Sequence, residues 1–383
     1  MKKLCILILI VFTFIFSFVS CKEYPKHTEK NLTPSDGLNF TLNSDKQSYS
    51  VFTIGTCTDT EIVIPDTYEG LPVTSIGDFS FSFCSSITSV IIPDSITSIG
   101  HNVFLHCTSL VSIEIPNSVT HIKSSAFFGC TSLTNVTIGN SVTSIDDWVF
   151  QDCTSLSNIT ISNSVKSIGQ GAFQNCASLV SITIPDSVTS IEQSAFYDCT
   201  SLTNIEVDEN NKHYKSIDGI LYDKDAKTLI KYPNGKKDKT FVIPDSVTTI
   251  GIHSFNRCDS LTNITIPNSV TSIDSYAFYY CDSLKNIEIP NSVTHIGIGA
   301  FCECDSLTKV TMSNSVTSIK NSTFWGCRSL KRISIPNSVT IIEENAFAWC
   351  SSLTSIEIPD SATIIEGAFR ECRNLTDITF TEK

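Results

Sequence analysis

Residues 107–127 read Cys107-Thr-Ser-Leu110-Val-Ser-Ile113-Glu-Ile115-Pro116-Asn-Ser-Val119-Thr-His-Ile122-Lys-Ser-Ser-Ala126-Phe127, and the same line recurs down the chain. Cysteines fall at 84, 107, 130, 153, 176 and 199 in steps of 23, at 258, 281, 304, 327 and 350 in steps of 23, and at 372 after 22. Each of these twelve has Phe three residues before it, at 81, 104, 127, 150, 173, 196, 255, 278, 301, 324, 347 and 369. From 199 to 258 is 59 residues, two periods and 13 more, so the series crosses an insertion and resumes. A fixed period in the range of 20 to 29 residues with Leu-x-x-Ile-x-Ile in it marks one turn of a solenoid. Each turn is too small to bury its own apolar side chains and completes its core by stacking on its neighbours.

Alternation within the unit orients it. Ile113 and Ile115 point inward on a short strand, so Ser112 and Glu114 point out. Pro116, repeated as Pro93, Pro185, Pro267, Pro290, Pro336 and Pro359, lacks an N–H and ends the strand. Val119-Thr-His-Ile122 alternates again and predicts a second, shorter strand, and Ser-Ala-Phe predicts a helical or irregular turn that inserts Ala and Phe into the core. The expected fold is a repeat solenoid with a parallel β-sheet on one face and short strands and turns on the other. It has about fourteen coils, including a degenerate first coil around residues 57–65 and one hidden in the insertion. At roughly 4.8 Å per parallel strand the body is about 65 Å long.

The remaining composition excludes several functions. The 383 residues are 41% hydrophobic, enough for a packed core. With 26 Lys+Arg against 39 Asp+Glu the net charge is −13, opposite to the basic footprint of a nucleic-acid-binding protein, so no nucleic-acid partner is expected. Seven His and two Met exclude extended His-rich metal clusters.

The unit resembles that of BspA-like leucine-rich-repeat proteins, with its Ala-Phe-x-x-Cys-x-Ser-Leu-x-x-Ile-x-Ile-Pro-x-Ser-Val-Thr-x-Ile-Gly pattern, over about residues 39–383. That resemblance implies a bacterial or protist surface molecule, several such proteins being implicated in adhesion to host matrix proteins or to other cells. The motif specifies the fold and not the ligand.

The N-terminus predicts export. Lys2 and Lys3 precede an apolar run from Leu4 to Val19, which reads as a secretory leader over 1–20. Phe18-Val19-Ser20-Cys21 resembles a bacterial lipoprotein signal, with Phe in place of the usual Leu. The resemblance implies acylation of Cys21, and hence a protein anchored to a membrane, in the outer membrane or at the cell surface, without spanning it. Residues 21–38 carry Pro25, Pro34 and Gly37 and read as a flexible tether. Residues 39–83 read as a capping region with degenerate first coils, and 84–383 as the solenoid.

The cysteine ladder has three readings: disulfides, a metal site, or buried thiols acting as small hydrophobes with a weak donor. Each Cys follows an inward Phe at a buried turn, which favours the third. The one close pair, Cys302-Glu-Cys304, is a single deviation, so neither a metal site nor a cofactor is expected. His121 and His295 share one repeat position and read as outward decoration. Ser and Asp sit in Pro-Asp-Ser and Cys-Asp-Ser turns where they bond local backbone. Without a phosphate loop, a nucleophile elbow or paired catalytic carboxylates, the chain reads as a non-catalytic protein.

What remains for function is surface. Outward strand positions give polar columns that include Asn135, Asn158, Asn204, Asn263 and Asn286, and Lys309 and Arg332 in adjacent coils form the basic spot of that face, a contact for an acidic partner. The insertion at about 208–240 holds eight Lys against six Asp+Glu and three tyrosines, Tyr214, Tyr222 and Tyr232, expected to be exposed on a β-hairpin of residues 217–222 and 227–232. These features predict binding of a host or neighbouring-cell protein or glycan. The alternative is a structural envelope protein or spacer without a ligand. The final coil predicts exposed apolar side chains and end-to-end self-association.

Overall fold

A computed structural model of the chain describes residues 33–381; the leader, Cys21 and most of the tether lie outside the described residues. Residues 34–383 form one compact unit. It is a solenoid of parallel coils with no helix among the described residues, and each coil has three sides.

The first side carries three-residue strands such as Ser112–Glu114, Asn135–Thr137 and Asn158–Thr160, paired in parallel with no register shift, so that Val136 faces Ile113 and Ile159. Ile113 and Val136 are buried while the residues beside them are exposed. The proline after each strand closes a turn: the carbonyl of Pro116 accepts the N–H of Val119 at 3.1 Å, and that of Pro267 accepts Val270 at 3.1 Å. The second side carries two-residue strands, with Ile99, Ile122 and Ile145 in one buried row.

The third side resolves the helix-or-irregular question in favour of turns. The N–H of Phe104 bonds Ala126 O at 2.8 Å in the next coil, and that of Phe127 bonds Val149 O at 2.9 Å. Because these donors point along the solenoid axis, they are not available to a helix. The residues two before and two after each Phe take left-handed backbone angles, for example Ser125 at φ 59° and Gly129 at φ 71° around Phe127. Each non-glycine there costs about 1–2 kcal/mol, offset by the inter-coil bonds that hold it, such as Ser125 N to Asp147 O at 3.0 Å.

Inside, the phenylalanines stack ring on ring, at 5.2 Å between Phe104 and Phe127 and 5.5 Å between Phe127 and Phe150, near-parallel in both cases. A fully buried Phe contributes up to about 3 kcal/mol, and ten of the twelve are among the largest fully buried side chains. The cysteines beside them are free and mostly buried thiols. At the start, the strand Asn39–Leu42 folds back antiparallel on Tyr49–Thr53, which joins the second side in parallel and covers its edge.

The insertion is a three-stranded meander: Tyr214–Ile217, Ile220–Asp223 and Thr228–Lys231, all antiparallel. The expected hairpin is therefore present, but its first strand begins at Ile220. The residues before it form a separate strand after a tight turn at Asp218 and Gly219, both with positive φ. The third strand runs parallel to Thr249–Ile250 and so serves as the second side of an otherwise unusual coil. Asn211, fully buried, pins the entry: its Nδ2 donates to Pro185 O and Val188 O at 2.8 and 3.0 Å, and its Oδ1 accepts the N–H groups of His213 and Tyr214. The apolar core consists of two clusters that meet here, one reaching Leu221 and the other starting at Ile220.

Candidate functional site

The exposed outer positions of the first side form the candidate face. Asn135 and Asn158 are adjacent and exposed in one ladder, where Asn158 Nδ2 donates to Asn135 Oδ1 at 3.2 Å. Asn204 lies on a separate two-stranded ladder and is half-covered by the insertion: Ile205 N bonds Gly219 O at 2.9 Å, and Asn204 Nδ2 turns to Glu206 Oε1 at 3.0 Å. Asn263, Asn286 and Lys309 stand opposite one another on three neighbouring strands. With Thr265, Glu288 and Thr311 they line an open groove of about 560 Å³. Arg332 is exposed on the strand Arg332–Ser334, which begins a further ladder beyond Lys309. The structure thus gathers three of the seven predicted sheet-face residues into one groove, sets Arg332 beyond it, and leaves Asn135, Asn158 and Asn204 elsewhere on the face.

The tyrosines of the insertion require a correction. Tyr222 and Tyr232 are each only 1% exposed and belong to the core, and Tyr214 is half-buried. Tyr232 occupies the slot that Phe holds in other coils: its ring lies 5.3 Å from that of Phe255, and its hydroxyl donates to Asp238 Oδ2 at 2.6 Å. Tyr214 uses its hydroxyl to accept the N–H of Ile191 at 2.9 Å. The buried rings of Tyr222 and Tyr232 complete the core of an irregular coil, and the expectation that they are exposed is overturned.

A cluster on the third side was not anticipated. His253 stacks on Tyr276 at 5.2 Å and meets Tyr197 edge-on at 5.0 Å, and the Arg257 guanidinium lies 4.8 Å above the Tyr280 ring and 3.2 Å from Asp198 Oδ1. Burial pushes the His253 pKa down to about 4, with the Lys231 charge adding to it. Beside it, Asp259, Asp282 and Asp305 recur one residue after successive cysteines. Partial burial, then repulsion from Asp259 and Asp305, raises Asp282 to about 6. The signal was visible in Ser275-Tyr276-Ala277-Phe278-Tyr279-Tyr280, where three tyrosines surround one core Phe. Among the described residues no group of three or more His, Cys, Asp or Glu is placed to hold a metal ion, and no helix is long and apolar enough to cross a membrane.

Comparison with known proteins agrees with this architecture. The model of the BspA type leucine rich repeat region matches six copies, over residues 48–176, 121–218, 232–351 and 271–383. Among solved structures, a leucine-rich cell surface protein of Faecalibacterium prausnitzii is 34% identical, with 91% of this chain and 94% of that one covered and a TM-score of 0.68. A leucine-rich repeat protein of Eubacterium ventriosum is 26% identical over 88% of this chain and 93% of that one, with a TM-score of 0.70. The pneumococcal vaccine antigen PcpA shares the fold, at 22% identity over 87% of this chain and 82% of that one and a TM-score of 0.58. No curated protein matches the chain. Coil period, strand register and family match converge, and this chain belongs to the BspA-type leucine-rich repeat family.

Proposed function

We propose that the protein is a non-catalytic surface lipoprotein that binds a host or neighbouring-cell protein or glycan through the first side of its solenoid, in an adhesive role. The observation that carries this reading is the groove of Asn263, Asn286 and Lys309, continued by Arg332, on a regular and exposed parallel ladder. Amide, hydroxyl and cationic groups held at one repeat spacing suit recognition by many individually weak hydrogen bonds. Export through the leader and acylation at Cys21 would place that face outside the cell, held by lipid alone. The exposed lysines of the insertion, such as Lys237 and Lys239, extend the cationic surface. Self-association belongs to the same reading: Ile378 and Phe380 on the strand Asp377–Thr381 are 46% and 55% exposed.

The competing reading is a spacer, favoured by the way Asn158 and Asn204 spend their amides on neighbouring side chains. Protease shaving of intact cells, followed by binding of residues 34–383 to a panel of matrix proteins and glycans, separates the two. Release of the protein by protease together with saturable binding to a panel member supports the adhesive reading. Release without binding supports the spacer, and protection from protease removes both.

A further inference from the structure

The first side of the solenoid changes character at the insertion. The residue just before each of its strands and the first residue of the strand make two neighbouring columns along the axis. Before the insertion the first column holds Thr88, Val111, Thr134, Ser157, Val180 and Thr203, and neither column contains a cation. After it, the first column carries Lys239, Lys285 and Lys331 in alternate coils, with Thr262 and Thr308 between them, and the second adds Lys309 and Arg332. The backbone fixes this spacing: Thr262 N bonds Lys239 O at 2.8 Å, Lys285 N bonds Thr262 O at 3.1 Å, and Thr308 N bonds Lys285 O at 2.8 Å.

All five cations are exposed, and among the described residues none of them pairs with a carboxylate, whereas Arg257, Lys320, Arg328 and Arg373 do. In a chain of net charge −13 such a stripe is not a consequence of composition. Like charges held at coil spacing repel, and an anionic ligand lying along the axis offsets that repulsion coil by coil. The coils of Lys239 and Arg332 are four steps apart, roughly 20 Å at the spacing of parallel strands, so the matching ligand is a chain rather than a single anion.

The neighbouring side chains narrow its chemistry. The amides of Asn135, Asn158 and Asn204 are spent on adjacent side chains, whereas those of Asn263 and Asn286 face solvent beside the stripe, in the groove that Thr265 and Thr311 also line. No residue lining that groove is aromatic, so it offers neither the stacking platform that single-stranded nucleic acid uses nor the aromatic anchor that dominates protein interfaces. Amides and hydroxyls next to spaced cations match a ligand that carries both hydroxyl groups and regularly placed negative charge.

We propose that the first side, from the coil of Lys239 to that of Arg332, binds an acidic glycan laid along the solenoid axis, with its carboxylate or sulfate groups on the cationic stripe and its hydroxyls on Asn263 and Asn286. The proposal rests on the sheet-face reading above and names the partner class of that face.

The test is surface plasmon resonance of the intact protein on immobilised octasaccharides of heparin, which carries sulfate and carboxylate, and of hyaluronan, which carries carboxylate alone. Saturable binding is expected at about 50 mM salt and a loss of about tenfold or more at about 500 mM. Binding of both sugars assigns recognition to either anion, and binding of heparin alone assigns it to sulfate. Lys285→Ala with Lys331→Ala is expected to weaken binding about tenfold or more. Lys123→Ala with Lys166→Ala, which removes the same charge from exposed positions on the second side, is expected to change it less than about twofold. Absence of binding to both sugars at the lower salt, equal losses from the two pairs of substitutions, or equally tight binding of a polyglutamate peptide or an oligothymidylate of the same charge overturns the proposal. The sheet-face reading fails separately: a protein or neutral glycan whose binding Asn286→Trp abolishes and Lys285→Ala with Lys331→Ala does not would sustain that reading while removing the acidic glycan.

Discussion

The Sγ of Cys153 donates to the carbonyl oxygen of Phe127, one coil back, at 3.2 Å, and that oxygen also accepts the N–H of Cys130 at 3.2 Å. Each core phenylalanine carbonyl on the regular coils is satisfied in the same way, by the backbone of its own coil and the thiol of the next; Cys130 and Cys176 repeat it at 3.1 and 3.2 Å. The cysteine ladder is thus a column of inter-coil hydrogen bonds. Cys153→Ala removes a donor and leaves a small void, and should cost about 1–2 kcal/mol in denaturant unfolding.

The same column orders thiol reactivity. Burial pushes the Cys107 pKa up to about 12, and the Cys84 pKa is raised by burial as well, whereas a hydrogen bond from Cys350 lowers that of half-buried Cys372. The thiolate is the reacting species. Iodoacetamide applied to the native protein should therefore modify Cys372 before Cys84 and leave Cys107 untouched until the protein unfolds. Early alkylation of Cys107 would contradict a closed stack.

The coil period, the inward Ile rows and the Phe and Cys columns were legible because each is a burial requirement that repeats at one spacing. The third side was less so. Asn102, Ser125 and Trp148 share a left-handed backbone although their side chains have nothing in common. What imposes the conformation is the direction of an N–H toward the next coil, which no single residue type encodes. Tyr222 and Tyr232 were misread because tyrosine beside lysine was taken for surface chemistry. For Tyr232 the needed signal was present: it precedes Cys258 by 26 residues, the same interval that separates Phe127 from Cys153. The groove was only half legible, since sequence gives the outward columns but not where the ladders break.

Gly129 lies against the His106 ring, and a methyl group placed there would collide with it. Gly129 also has φ 71°, so Gly129→Ala adds a backbone cost of about 1–2 kcal/mol to the steric one. His106→Ala should relieve the collision alone. The double variant is expected to be more stable than Gly129→Ala by itself, with the backbone part of the loss retained. Additive losses in a denaturation cycle would show that the ring is free to move away.

Asp282 gives the acid side of the stability profile a definite sign. Its folded pKa of about 6 lies above the ordinary 3.8, so the folded state holds the proton more tightly. The group's stabilising contribution is full below about pH 4 and lost as the pH rises through about 6. Half-buried His253, lowered to about 4, works oppositely: its contribution is present above about pH 6.5 and lost as the pH falls through about 4. Thermal melts between pH 4 and 7 should show Asp282→Asn gaining stability at pH 7 relative to the parent and losing that gain at pH 4. Because Asp282 is at the surface, the gain should shrink in 0.5 M salt.

Lys309 and Arg332 provide the test of the binding face. Both are exposed, and neither carries any of the buried rows, so Lys309→Glu with Arg332→Glu should leave unfolding within about 0.5 kcal/mol of the parent. Against the tightest binder in the matrix and glycan panel, the pair should reduce affinity at least tenfold at 50 mM salt and much less at 500 mM, because screening already removes most of the attraction there. Asn286→Trp should weaken the same interaction by filling the groove, while Asn135→Trp, on another ladder of the same sheet face, should not. Surface plasmon resonance on these variants distinguishes a local groove from a uniformly adhesive sheet: equal losses from Asn135→Trp and Asn286→Trp would assign recognition to the whole column of coils.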